Sequence, residues 1–199
     1  VKSADDSQVL TANYTPKDSN EIQSYIDSAS DGDTIVLDGN YLFTSTVNVA
    51  KQLNFVGIND ATVDGDNKVG LFSVSNRGVT FKDITFKNGK TTGSGGAVYF
   101  NKGGSCVNCS FINNYAGSYG GAVYGGSCVN CSFVKNNVNV KQIGGGGAIS
   151  NTNAYNCIFI ENSANLCGGA IYCDNSKSKI FIDNCSFIGN RAGGRKSDL

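Results

Sequence analysis

Apolar and polar residues in the second half of the chain alternate in short runs that never reach helical length. A period-two reading puts Val107, Cys109 and Phe111 on one face and Asn108 and Ser110 on the other, the pattern of a strand with one buried side. The run then recurs. Cys-x-Phe-x-x-Asn occupies Cys109–Asn114, Cys131–Asn136, Cys157–Asn162 and Cys185–Asn190. A second phrase, Gly-Gly-Ala followed by Val or Ile, begins at Gly95, Gly120, Gly146 and Gly168, at intervals of 25, 26 and 22 residues. Self-similarity of that length, carried by β-type runs, is the mark of a solenoid whose coils stack on one another.

The elements follow from the same pattern. Less regular runs at Thr34–Leu37, Thr46–Val49, Leu53–Val56, Ala61–Val63, Leu71–Val74 and Val79–Phe86 are separated by turn residues such as Asp64-Gly65-Asp66. Before them, Asp18 and Glu21 are spaced as a capping box, and Ile22, Tyr25, Ile26 and Ala29 form one helical stripe. The chain therefore divides into an extended lead-in (1–17), a capping helix and turn (18–33) and a β-solenoid (34–199). The predicted fold is all-β, a right-handed parallel β-helix of about seven coils whose first coil the short helix covers.

Stacking gives the repeated side chains their roles. Phe111, Phe133, Phe159 and Phe187 are predicted to stack in the interior. Asn114, Asn136, Asn162 and Asn190 are predicted to form an amide ladder at a turn. Cys109, Cys131, Cys157 and Cys185 form a third column, and the paired glycines mark a sharp bend.

Composition narrows the partners. The 16 acidic and 16 basic residues cancel, which argues against nucleic acid, and no apolar run is long enough for this chain to insert a helix in a membrane. A sequence without Met that begins at Val1 is expected to have lost an upstream segment, and its Gly- and Asn-rich character points to signal-peptide removal and an extracellular or cell-surface location.

Few residues suggest chemistry. Cys106, Cys109, Cys128 and Cys131 have the spacing of a four-cysteine zinc site, but that spacing equals the repeat length. With Cys109 inward, Cys106 is expected to point outward, so no metal or other cofactor is expected. The thiols are read as a buried ladder, with Cys106–Cys128 and Cys167–Cys173 as the pairs best placed if disulfides form. The chain has no His, and its acids in the regular coils are sparse, so no catalytic residue is assigned. Asp64, Asp66, Lys82 and Asp83 form the one small charged patch available to the alternative, a polysaccharide lyase or hydrolase. Of four glycosylation patterns, three lie within the repeat phrase, leaving Asn13 as the candidate. Tyr99, Tyr124 and Tyr172 share one repeat position, with Ser150 replacing Tyr in the third copy, and form a possible ligand face.

The Gly-Gly-Ala and Phe-x-x-Asn phrases, with Ala116, Ala164 and Ala192 two residues beyond the Asn, resemble the repeats of chlamydial polymorphic outer membrane proteins and of adhesin-like surface proteins of methanogenic archaea. The segment Glu21–Tyr41 is similar to the first coil of many parallel β-helices. The resemblance implies a non-enzymatic structural or adhesin-like surface protein. Its partners would be a carbohydrate or protein surface, or copies of itself joined through open β-helix ends.

Overall fold

The computed structural model describes residues 9–11, 17–140, 144–173, 179–193 and 195–196. It is a parallel β-solenoid with one helix among those residues. The widest face has 13 strands. Its two long strands, Thr34–Leu42 and Asn54–Asp64, pair in parallel, with Asn59 and Asp60 forming a bulge at positive φ. Beyond them this face divides in two, because Asp83 (φ 57°) breaks the next run into Val79–Lys82 and Thr85–Lys87. Asn108, Asn130, Asn156 and Asn184 repeat that left-handed bend in each later coil.

Two six-stranded sheets complete the walls. One starts at Val47–Val49 and ends at Ile171–Tyr172; the other starts at Lys90–Thr91 and ends at Arg195–Lys196. The described residues thus make six complete coils and begin a seventh, in line with the expected number of about seven. Val9–Thr11, in the lead-in, pairs in parallel with Thr34–Val36 and adds a rung at the first coil.

The left-handed bend also corrects the reading of the cysteines. Alternation holds only along continuous extended backbone, and the bend at Asn108 advances it by one residue. Cys106 and Cys109 therefore both point inward and are buried, while Val107 turns outward and is only half-buried.

The helix Ser19–Ser28 packs on Thr34–Leu42 and Val47–Val49 of the first coils and buries Ile22 and Ile26 in the same core as Ile35, Leu37 and Val47. The Asp18 carboxylate accepts hydrogen bonds from the Asn20 and Glu21 backbone N–H groups, at 2.9 and 3.0 Å. The other arm of the capping box is used differently, since the Glu21 carboxylate accepts the Tyr25 hydroxyl at 3.2 Å.

Both glycines of the first three Gly-Gly-Ala phrases lie where a Cβ would run into backbone, and the first is held at positive φ as well. Gly95, Gly120, Gly146 and Gly168 sit at positive φ, where only glycine is free of strain. The next glycine lies against the following coil, and a Cβ on Gly121 would come within 2.1 Å of the Gly147 carbonyl oxygen.

In the core, Phe86, Phe111, Phe133, Phe159 and Phe187 stack with centroids 4.8–5.1 Å apart and planes within 11°. Beside them Asn114, Asn136 and Asn162 are wholly buried. The backbone N–H and the side-chain amide of each donate to the Oδ1 of the next Asn, at 2.9–3.0 Å. The amide also donates to a phenylalanine carbonyl of the preceding coil, Phe86, Phe111 and Phe133 in turn. Every polar atom of these side chains is satisfied, which is the condition for burying an amide at little cost. Replacing Asn136 with Ala orphans partners on two coils and is expected to cost about 2–4 kcal/mol in chemical denaturation. Asn130→Gly, at the exposed left-handed bend, is expected to cost under about 1 kcal/mol.

Candidate functional site

The sheet that starts at Val47–Val49 carries one outward column in strict register: Asn48, Ser73, Tyr99, Tyr124, Ser150 and Tyr172. Tyr99 and Tyr124 stack at 5.3 Å with planes 16° apart. The gap left by Ser150 is closed from the adjoining turn. Tyr119 reaches over Ser150 and stacks on Tyr172 at 5.9 Å and 18°, while meeting Tyr124 at 6.1 Å. Gly145, one coil above Tyr119, leaves room for this, since a Cβ there would already crowd the Tyr172 ring at 3.2 Å. The four rings form one column. Tyr119 lies outside the repeated position, so the period alone does not point to it.

The stacking limits what the column offers. Rings in contact face to face present edges and hydroxyls outward, so they make no continuous platform for a sugar. Tyr99 ends the column on its N-terminal side, and its second face turns toward the preceding coil, where Ser73 occupies the register.

That face borders a groove of about 550 Å³ lined by Thr46, Asn48, Ser73, Thr91, Ser94 and Tyr99 among others. A second groove of about 530 Å³ shares Thr46, Gly70 and Thr91 with the first and continues to Lys68, Lys90 and Tyr115. Their origin is a step in the cross-section. The first two coils pass from the wide face to the Val47 sheet through residues 43–46 and 65–71, without a strand. The third takes the longer route 88–97 and lays down Lys90–Thr91, the first rung of the remaining sheet.

The charged patch of the early coils has a structural use. Asp83 accepts from the Asn108 amide, and Asn130, Asn156 and Asn184 each donate to the Asn before, making an exposed column headed by a carboxylate. Asp64 accepts from the Asn88 amide and the Asp66 backbone N–H, both at 2.9 Å, with Lys87 at 3.3 Å. Asp66 pairs with Lys68 at 2.6 Å. Among the described residues no group of three or more His, Cys, Asp or Glu is placed to hold a metal ion.

Two stretches of the chain match a known repeat. Residues 108–126 and 156–174 match the Chlamydia polymorphic membrane protein repeat. No curated protein and no solved structure matches the chain. Each matched stretch covers most of one coil, from the left-handed bend at Asn108 or Asn156 through the inward Cys, Phe and Asn and past the Gly-Gly-Ala turn.

The cysteine column of the Cys-x-Phe-x-x-Asn phrase belongs to the core, whereas Cys167 is exposed and Cys173 half-buried, without a disulfide between them. Cys109, Cys131 and Cys157 are buried, Cys185 is half-buried, and each thiol lies 3.2–3.6 Å from two backbone carbonyls. Cys106 and Cys128 are in register on adjacent strands as free thiols. Burial, reinforced by Cys128, pushes the Cys106 thiol well above its usual range and disfavours the reactive thiolate. Asn13, the glycosylation candidate, lies outside the described residues. Asn108, Asn130 and Asn184, the other three acceptor patterns, are members of the exposed amide column.

Two expectations follow. The Ser150 hydroxyl is buried without a hydrogen-bond partner, so Ser150→Ala is expected to leave the thermal midpoint unchanged or to raise stability by up to about 1 kcal/mol. Partial burial raises the Asp64 pKa, but the Asp66 N–H, Asn88 and Lys87 outweigh it and hold the carboxyl below the ordinary 3.8. A lowered folded-state pKa contributes stability above the unfolded value that is lost as pH falls through the folded one. Denaturation midpoints from pH 6 to pH 2.5 are therefore expected to fall less for Asp64→Asn than for the wild type.

Proposed function

We propose that this chain is the presenting part of a cell-surface protein, a non-catalytic solenoid that holds a rigid outer face toward a carbohydrate or protein partner. The observation that carries this reading is the use made of the repeated residues. Phenylalanine, asparagine, cysteine and glycine of each repeat are spent on the interior and its turns, while of the outward acids Asp83 heads an amide column and Asp64 accepts from Asn88 and a backbone N–H. The likeness of two coils to a polymorphic membrane protein repeat supports the surface location.

A second reading, assembly through coil ends, draws on a specific feature. In the last described coil the inward residues Ile182, Cys185 and Phe187 are only half-buried, whereas Phe111, Phe133 and Phe159 of the earlier coils are wholly buried. An apolar coil end favours the docking of another coil.

Two measurements test these readings together. Incubation with neutral and acidic polysaccharides, with and without calcium, is expected to release no product; turnover lost in Asp64→Asn or Asp66→Asn would establish an enzyme instead. In sedimentation velocity, end-to-end assembly requires a coefficient that rises with concentration and is held at the monomer value by Ile182→Lys, a substitution at an inward position of the last described coil. A constant value for the wild type leaves presentation by single chains.

A further inference from the structure

We propose that the step between the second and third coils is a binding site for a short acidic oligosaccharide. The inference rests on the surface-presentation reading and names the ligand class and the place.

A periodic surface offers the same contacts at every coil and so specifies no position along the rod. The step breaks that translation. It is also where the tyrosine column ends, with one face of Tyr99 stacked on Tyr124 and the other bordering the groove. An aromatic face beside hydroxyl and amide side chains suits a pyranose ring, whose C–H face packs on the aromatic ring while its hydroxyls meet polar groups at the edge. Asn48, Ser73 and Thr91 supply those groups on the Tyr99 side.

The continuation of the groove sets the charge. Its lining holds Lys68 and Lys90 and no acid. Lys68 is already paired with Asp66, whereas the Lys90 ammonium lies 5.8 Å from the Tyr115 ring centroid and meets no carboxylate among the described residues. A sugar carboxylate one or two rings from the residue on Tyr99 would find that cation. Each half of the groove falls within the size range of small-ligand sites.

The test is isothermal titration calorimetry with tetragalacturonate, cellotetraose and tetraglutamate, with ring-proton shifts of the tyrosines followed by NMR. Tetragalacturonate is expected to bind and to perturb Tyr99 and Tyr115 while leaving Tyr172 unmoved. Tyr99→Ser is expected to weaken it about tenfold, Tyr99→Phe to change it little, and Lys90→Gln to weaken it about threefold, the scale of an exposed ion pair. Cellotetraose is expected to bind more weakly than tetragalacturonate and to be insensitive to Lys90→Gln. Tyr172→Ser, at the far end of the column, serves as the folded control. No binding of tetragalacturonate by the wild type at ~5 mM, equal binding of tetraglutamate, or shifts confined to tyrosines away from the groove would overturn the proposal. Any of these would leave surface presentation intact, since that reading is judged by polysaccharide turnover and by sedimentation.

Discussion

The structure depends on one constraint, the parallel, in-register stacking of coils at strand spacing. Ladder hydrogen bonding holds each residue one strand away from its counterpart in the next coil, so every inward position must tolerate its own copy. Phenylalanine does so by stacking with near-parallel planes, and asparagine by donating to the oxygen of the next asparagine. The second glycine of the turn does so by having no Cβ to meet the neighbouring carbonyl. A charged side chain repeated in the same place would meet its like, and none occupies the inner columns.

The columns are also directional, which makes their ends different from their middles. In the exposed asparagine column each amide donates toward the N-terminal coils, so its first member needs only to accept, and Asp83 is an acceptor-only group. The buried column runs the other way, each amide donating to the next asparagine, and its first oxygen is met by the Gly89 backbone N–H. Asp83, which looks like part of a candidate catalytic patch in one dimension, is in three the starting point of a hydrogen-bonded column, while Asp64 and Asp66 are taken up by Asn88, Lys87 and Lys68.

The same constraint separates architecture from recognition. Repeated residues are committed to holding coils together, so selectivity has to come from places where repetition fails. The substitution of Ser150 within the tyrosine position, filled by Tyr119, and the step where the cross-section widens at Lys90–Thr91 are two such places. A rigid wall that fixes them relative to one another is what a solenoid contributes to binding.

Much of this was legible in the linear order. The tandem phrases establish a parallel solenoid, and the helical stripe at Ile22 and Ile26 marks the helix that covers its first coil, because such patterns are local and periodic. The expected count of about seven coils also holds, with six complete and the start of a seventh among the described residues, because the repeat length sets it. What tertiary structure alone decided is where the period-two rule is reset. The left-handed residue at Asn108 turns Cys106 inward and Val107 outward. It also decided which side chains meet across coils, as when Tyr119 occupies the space over Ser150, and where the path lengthens to leave a groove. These depend on distances between residues more than 20 positions apart, and a pattern read along the chain carries no information about the angle through which one coil turns before it meets the next.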